Sequence, residues 1–144
     1  MSITIAPIGH DPRSLAACYL VMRELRPHVS LENFMALVHE AAQRDGYKLV
    51  VALDQNENMV GVVGYRLMYD LVHGKHIYVD DLVTSEAHRS KGIGALLLTY
   101  AEKEAQQLGC SGLRLCTGID NDRGKTFYAR NGWNLRAVVY KKKF

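Results

Sequence analysis

Between His88 and Gly94 the chain reads HRSKGIG. Two cations, Arg89 and Lys91, stand beside two glycines, Gly92 and Gly94, and an amphipathic helix follows without a break. Glycine costs about 1 kcal/mol against alanine inside a helix. A helix that starts on its two weakest residues, next to positive charge, therefore asks for a reason. A helix start offers unpaired N–H groups and a partial positive charge. Glycine lets the backbone take φ > 0 and come close to a bound group. The chemistry these residue types suit is the binding of a phosphate or pyrophosphate. The plainer alternative is a glycine-containing loop that simply precedes a helix. Neither common nucleotide pattern fits. No segment matches the P-loop, and the third glycine of the dinucleotide fingerprint is replaced by Leu97.

The elements around this loop follow from pattern and caps. ITIAP is a short first strand. Asp11 caps a helix with Pro12 at its first position and Leu15, Cys18, Tyr19, Met22 and Leu25 at helical spacing. Pro27, in LRPHVS, ends it. Ser30 caps a second helix carrying Phe34, Leu37, Val38 and Ala41, which Gly46 closes. YKLVVALD, MVGVVGYRLMYDL and GKHIYVDDLVT then form an antiparallel meander joined by short turns. After the glycine loop comes a helix with Ile93, Leu97, Tyr100, Ala101, Glu104 and Leu108 on one face and Gly109 just past its end. GLRLCTG is a short buried strand, NDRGKTFYARNG a short helix capped by Asn121 or Asp122, and WNLRAVVYKKKF a closing strand or hairpin. The strand–helix–strand unit from His76 to Cys116 predicts a right-handed parallel crossover. The fold class is α/β, a mixed central sheet with helices on both faces.

Arg89-Ser90-Lys91-Gly92-Ile93-Gly94 reads R-x-x-G-x-G after a strand ending DDLVT. NDRGKTFYARNGW supplies an Asn, a short helix, then Tyr128, Gly132 and Trp133. Together these motifs resemble the GNAT superfamily of acetyl-CoA-dependent N-acetyltransferases, from about Gly61 to Trp133. The chain departs from the family pattern at Gly124, where Ala is frequent, which is expected to loosen the short helix. Trp133 replaces a usual Phe. The resemblance implies that the backbone of Arg89 to Gly94, running into Ala95, cradles the CoA pyrophosphate. It implies that Leu82, Val83 and Thr84 pair with the pantetheine arm as with an added strand, and that Asn121 bonds the same arm. Lys125 and Arg123 are phosphate candidates or a solvated helix face.

Acetyl transfer to an amine must remove a proton, since at pH 7 only about one amine in a thousand with pKa near 10 is free base. It must also protonate a thiolate. The resemblance places Tyr128 at the acid role; its alternative is an amphipathic core tyrosine. The base candidates are Asp80 and Asp81. Neighbours in a strand point to opposite faces, so one of them is expected to line the site. The chain here is similar to the spermidine/spermine acetyltransferase branch, whose first acid maps to Asp80. Either carboxylate could instead attract a cationic substrate or be an ordinary strand residue. The N–H of Val83 is the natural oxyanion donor. Tyr65, Met68, Tyr69 and Tyr78 read as sheet packing, with one or two of them walling the acceptor pocket beside the LRPHVS loop.

Composition narrows the classes. The 144 residues fit one domain, 1–144, and 48% hydrophobic residues allow a full core. Three cysteines with no regular spacing argue against a disulfide framework and for a reducing, cytoplasmic setting. Cys110 and Cys116 are expected to be buried small residues. His73 and His76 lack the further ligands a zinc site needs, so no metal is expected. No signal peptide or membrane span is expected. The formal charge of +3, with KKK near the C-terminus, makes nucleic-acid binding a weak reading. The expected activity is transfer of acetyl from acetyl-CoA to a small or polyamine-like amine by direct attack in a ternary complex. Acetylation of protein amines, or regulatory CoA binding without catalysis, are the alternatives. A homodimer is compatible with VVYKKKF as an edge strand.

Overall fold

The computed structural model describes residues 2–144. They form two compact units, divided after Arg114, which are described separately. The first holds β1 (Thr4–Pro7), α1 (Pro12–Leu25), α2 (Leu31–Asp45), β2 (Lys48–Leu53), β3 (Met59–Asp70), β4 (Gly74–Thr84), one 3₁₀ turn (Glu86–His88) and α3 (Ile93–Gln107). β5 (Leu113–Leu115) lies at the division, and the second unit holds α4 (Asp122–Arg130).

The helix ends are where the capping residues put them. The Asp11 carboxylate accepts from the Ser14 N–H at 3.0 Å, and Ser30 Oγ accepts from the Asn33 N–H at 3.1 Å. Gly46 stops α2 in the left-handed region at φ 67°. The sheet runs β1-β2-β3-β4-β5, with antiparallel pairing from β1 through β4 and a parallel β5. Backbone bonds from Ile77 N–H to Gly112 and from Ser111 N–H to Lys75 tie the approach to β5 to the early part of β4.

Cross-strand partners share a face, and this sorts the core into two layers. Val51, Val62 and Val83 sit in register and pack with Leu15, Cys18, Met22, Phe34 and Val38 of α1 and α2. On the opposite face Gly61 leaves room for α3: a methyl group there would stand 2.8 Å from the Ile93 side chain. Ile93, Leu97, Leu98, Ala101 and Ala105 bury that helix. Glu104, on the same side of α3, is not an exception to apolar patterning. Its carboxylate accepts from Lys48 Nζ at 2.7 Å and from the buried Tyr65 hydroxyl.

Three expectations change. Residues 133–144 form no strand or hairpin, and Leu135, Val138, Val139 and Tyr140 are exposed. Their alternation suits a strand, but a strand needs a ladder partner, and the second unit holds only α4 and the end of β5. β5 is half-buried rather than buried. Cys110 is half-buried and Cys116 exposed; the buried cysteine is Cys18, between α1 and the sheet, where burial pushes its thiol up to about 12.

Candidate active site

Asp80 and Asp81 both line one cavity, although consecutive strand residues normally face apart. The cause is a bulge. Tyr65 pairs with Val79, the preceding Gly64 pairs with Asp81, and Asp80 is the extra residue between. Val79 therefore follows Tyr65 toward α3, while Asp81 follows Gly64 toward α1 and α2. Asp80 joins it because a bulged residue breaks the alternation. The expectation that only one carboxylate would reach the site is corrected by this slip of one residue.

The two acids have different partners. Arg66 forks onto Asp80, with Nη2 at 2.7 Å and Nε at 3.2 Å from its two oxygens, and extends Nη1 to Asp45 at 3.1 Å. Asp81 accepts from Arg26 Nε at 3.0 Å on one oxygen and from the Tyr47 hydroxyl at 2.6 Å on the other. Arg26 Nη2 also donates to the Asp80 carbonyl, which braces the bulge. Burial pushes the Asp80 carboxyl above its ordinary value, against the pull of the Arg66 guanidinium. Arg66 is itself raised, chiefly by its hydrogen bond to Asp80. Burial, and the charge of Asp81, raise the Tyr47 phenol well above its usual range, so it acts here as a donor.

The cavity measures about 390 Å³ and opens between α1, α2 and the inner half of β4. Arg26, His28 and Val29 of the LRPHVS segment line it, as the sequence suggests. Tyr65, Met68, Tyr69 and Tyr78 do not. Tyr65 turns to α3, Tyr69 is exposed, Met68 sits beside Arg114, and Tyr78 lies under the Arg114 guanidinium at 4.7 Å. The tyrosines of the cavity are Tyr19, read from the sequence only as part of the apolar face of its helix, and Tyr47, which was missed together with Arg66. The signal for Tyr47 was Gly64: a methyl group there would stand 2.6 Å from the Tyr47 ring carbon that bears the hydroxyl.

The glycine loop has the backbone of an anion cradle. Ser90 and Gly92 both take positive φ, 64° and 79°. Such a backbone belongs to the concave N–H arrangements that bind anions. Gly92 is the N-cap of α3, no side chain caps that helix, and its first turn carries no acid. The space around Gly92 is open, with no atom within 4 Å of where a Cβ would stand. Arg89, Ser90 and Lys91 are exposed, and Gly94 and Ala95 half-buried. The Ile93 side chain is buried beneath α3, so this residue offers its backbone alone. Leu82 and Thr84 are half-buried and Val83 is in the core; all three pair with β3. The residues fit a bound pyrophosphate in backbone conformation and charge.

In the second unit Asn121 caps α4. Its Oδ1 accepts from Gly124 N–H at 3.0 Å, and Nδ2 donates to Thr117 Oγ1 at 2.8 Å, with a second proton left to offer. Gly124 makes room for the Asn121 cap: a methyl group would stand 2.8 Å from Asn121 Cγ, so the Asn121 side chain would have to shift. Lys125 folds back onto the Ile119 carbonyl and lies 3.9 Å from Asp122, while Arg123 is exposed. Tyr128 stacks edge-on against Phe127 and Trp133, and burial raises its phenol.

At the β3–β4 turn, Asp70 joins His73 and His76, so the sequence reading lacked a ligand that the structure supplies; their ligating atoms lie within 4.8 Å of one another. His76 is already committed, however. Its Nδ1 faces the Gly74 carbonyl at 2.9 Å and its Nε2 accepts from Arg114 Nε at 2.9 Å. Arg114 also lies 3.6 Å from Asp70. A cation would have to displace a guanidinium. Among the described residues no helix is long and apolar enough to cross a membrane.

The class these features define is an α/β domain with a mixed sheet, a glycine loop after β4 and a separate acid-lined cavity. Comparison with known proteins identifies it. The profile of the acetyltransferase (GNAT) family matches residues 15–133. The chain belongs to this family, and is an acyltransferase of N-acetyltransferase type. It is 29% identical to the uncharacterized N-acetyltransferase YhdJ of Bacillus subtilis, over 88% of this chain and 89% of that one. It is 29% identical to the aminoalkylphosphonate N-acetyltransferase of Salmonella typhimurium, over 81% and 73%. The fold matches a solved aminoglycoside N-acetyltransferase, AAC(6')-Iy in complex with CoA, with a TM-score of 0.84, 16% identity, and 99% and 96% coverage.

Proposed function

We propose that the protein transfers acetyl from acetyl-CoA to the nitrogen of a small amine, by direct attack in a ternary complex. The observation that carries this reading is the bulge that turns both Asp80 and Asp81 into the cavity of a GNAT-family domain. Relatives named for aminoalkylphosphonate and thialysine acetylation support a small-amine acceptor. Acetyl-CoA, when bound, supplies the activated acyl group as a thioester.

The chain's own residues then have separable tasks. The backbone from Arg89 to Ala95 holds the pyrophosphate, with Lys91 adding charge. The backbone N–H groups of Leu82 and Thr84, which point away from β3, align the pantetheine arm; the Val83 N–H faces Val62 across the β3–β4 ladder, so the oxyanion role expected of it is not available to it there. Asn121 adds its spare amide proton to the same arm, and Lys125 would have to leave Ile119 to reach a phosphate. Asp80 takes the proton of the incoming ammonium through a water. Its raised pKa suits that task better than an ordinary carboxylate, while Tyr47 and Arg26 hold the Asp81 carboxylate in position. Tyr128 gives a proton to the departing thiolate. Burial keeps it fully protonated at neutral pH. The test is thiol release from acetyl-CoA with a panel of small amines and an amine-bearing peptide. No turnover on any acceptor, with CoA still bound, removes the enzyme reading in favour of a CoA-binding module.

A further inference from the structure

Beyond the two acids, their two arginines and His28, the lining of the cavity is apolar or aromatic. Met22, Phe34 and Val38 are buried in its wall, and Leu37 stands at its rim, 61% exposed. Tyr19 spends its hydroxyl on the Val29 carbonyl at 2.6 Å, and Tyr47 spends its own on Asp81. Both tyrosines have therefore committed their hydroxyl protons, and they line the cavity as aromatic side chains.

Charge is matched within the same space. Arg66 covers both oxygens of Asp80, and Arg26 with Tyr47 covers both oxygens of Asp81. Two guanidiniums oppose the two carboxylates of the lining, with Arg66 also shared with Asp45 outside it, so each acid of the lining is already paired. One ammonium can approach the carboxylates, lose its proton and react as a neutral amine. A second or third ammonium on the same molecule would lie against carbon or beside a guanidinium, and an unpaired charge taken out of water is strongly disfavoured. A polyamine is the wrong complement to such a cavity.

From this we infer that the acceptor carries a single amine on an apolar body, aromatic or alkyl. The body fills the space between Phe34, Val38 and Met22, and the amine reaches the acids. A volume of about 390 Å³ accommodates such a molecule. The inference rests on taking this cavity as the acceptor site of an acetyltransferase, and it names the acceptor class.

The test separates binding from turnover. The protein is titrated calorimetrically with phenethylamine and with spermidine, and thiol release from acetyl-CoA is followed with each. Phenethylamine should bind about tenfold more tightly, and any turnover should favour it by a similar factor in kcat/KM. Leu37→Ser, at an exposed position that the fold tolerates, should weaken phenethylamine and leave spermidine unchanged. Arg66→Gln, which strips Asp80 of its guanidinium, should narrow the gap in spermidine's favour. Spermidine binding as tightly as phenethylamine, or no phenethylamine binding, overturns the inference. So does a preference that neither variant moves. Selective phenethylamine binding without thiol release on any amine upholds the cavity's ligand class, a single amine on an apolar body, while removing the acetyltransferase reading and with it the role of acceptor.

Discussion

Asp80 and Asp81 are consecutive in β4 yet send both carboxylates into one cavity, because Asp80 has no partner across the Gly64–Tyr65 step of β3. The bulge gives the two acids unequal settings. Arg66 alone covers Asp80, and Arg26 with Tyr47 pins Asp81. A site that must both hold a cation and remove its proton needs this inequality. Asp81 is the one positioned by two different residues, and Asp80 is the one whose carboxyl burial pushes up.

Arg66→Gln should move the acid limb of the pH–rate profile to higher pH. Burial raises the Asp80 carboxyl and Arg66 pulls it back. Without the guanidinium the folded-state pKa rises further, and the ionised base is reached later as pH increases. The stability sign follows from the same shift. A carboxyl whose folded pKa is raised contributes stability below its ordinary value of 3.8, and loses it as pH rises through the folded value. In Arg66→Gln that loss extends to higher pH. Urea unfolding at acidic and neutral pH, beside a pH–rate profile, reads both effects. An unmoved acid limb takes Asp80 out of the base role.

Gly64→Ala should destabilise the first unit by about 1–3 kcal/mol through overpacking. The added methyl would stand 2.6 Å from the Tyr47 ring carbon that carries the hydroxyl, and closer still to the hydroxyl itself. Tyr47 is buried and tied to Asp81, so it cannot swing aside without breaking that bond. The cost should shrink in a Tyr47→Leu background, a non-additivity expected only if the two side chains collide. Equal costs in both backgrounds would place the strain elsewhere in the sheet.

The parts that could be read from sequence are those decided locally. Asp11, Ser30 and Gly46 mark helix ends through bonds and backbone angles within a few residues, and the Gly92 cradle has the same short range. What could not be read depends on distant partners. The bulge at Asp80 is a register slip set by β3, and no local pattern in VDDLV announces it. Arg26 reaches Asp81 across 55 residues and Tyr47 reaches it across 34. The opposite error occurs at 133–144. There the alternation is real, but a strand pattern without a partner forms no sheet.

Gly92→Asp should abolish CoA binding, while Gly92→Ala separates the backbone effect from the charge. Either side chain at φ 79° is strained, at about 1–2 kcal/mol for an L-residue in the left-handed region. Beyond its chain neighbours and its own helix backbone, the Cβ of either has no protein atom within 4 Å. The aspartate variant, a better N-cap residue, should lose no more stability in urea than the alanine variant, yet differ from it in calorimetric CoA titration. The carboxylate places negative charge at the start of α3, where a pyrophosphate would compete with it. If the aspartate variant binds CoA as well as the alanine variant does, the phosphates are held elsewhere.

Tyr128→Phe should lower kcat by about 10²-fold, the scale of a general acid, and leave CoA affinity nearly unchanged. Phenylalanine keeps the ring that meets Phe127 and Trp133 edge-on, so packing within the second unit survives and only the proton is removed. Burial raises the phenol above its ordinary value of 10.0. In wild type the alkaline loss of kcat that belongs to this group must then begin above that value, and it should be absent from the variant. Single-turnover measurements with saturating amine isolate the chemical step. An unchanged kcat would return Tyr128 to packing alone, and a fall in CoA affinity with kcat preserved would make it a binding residue.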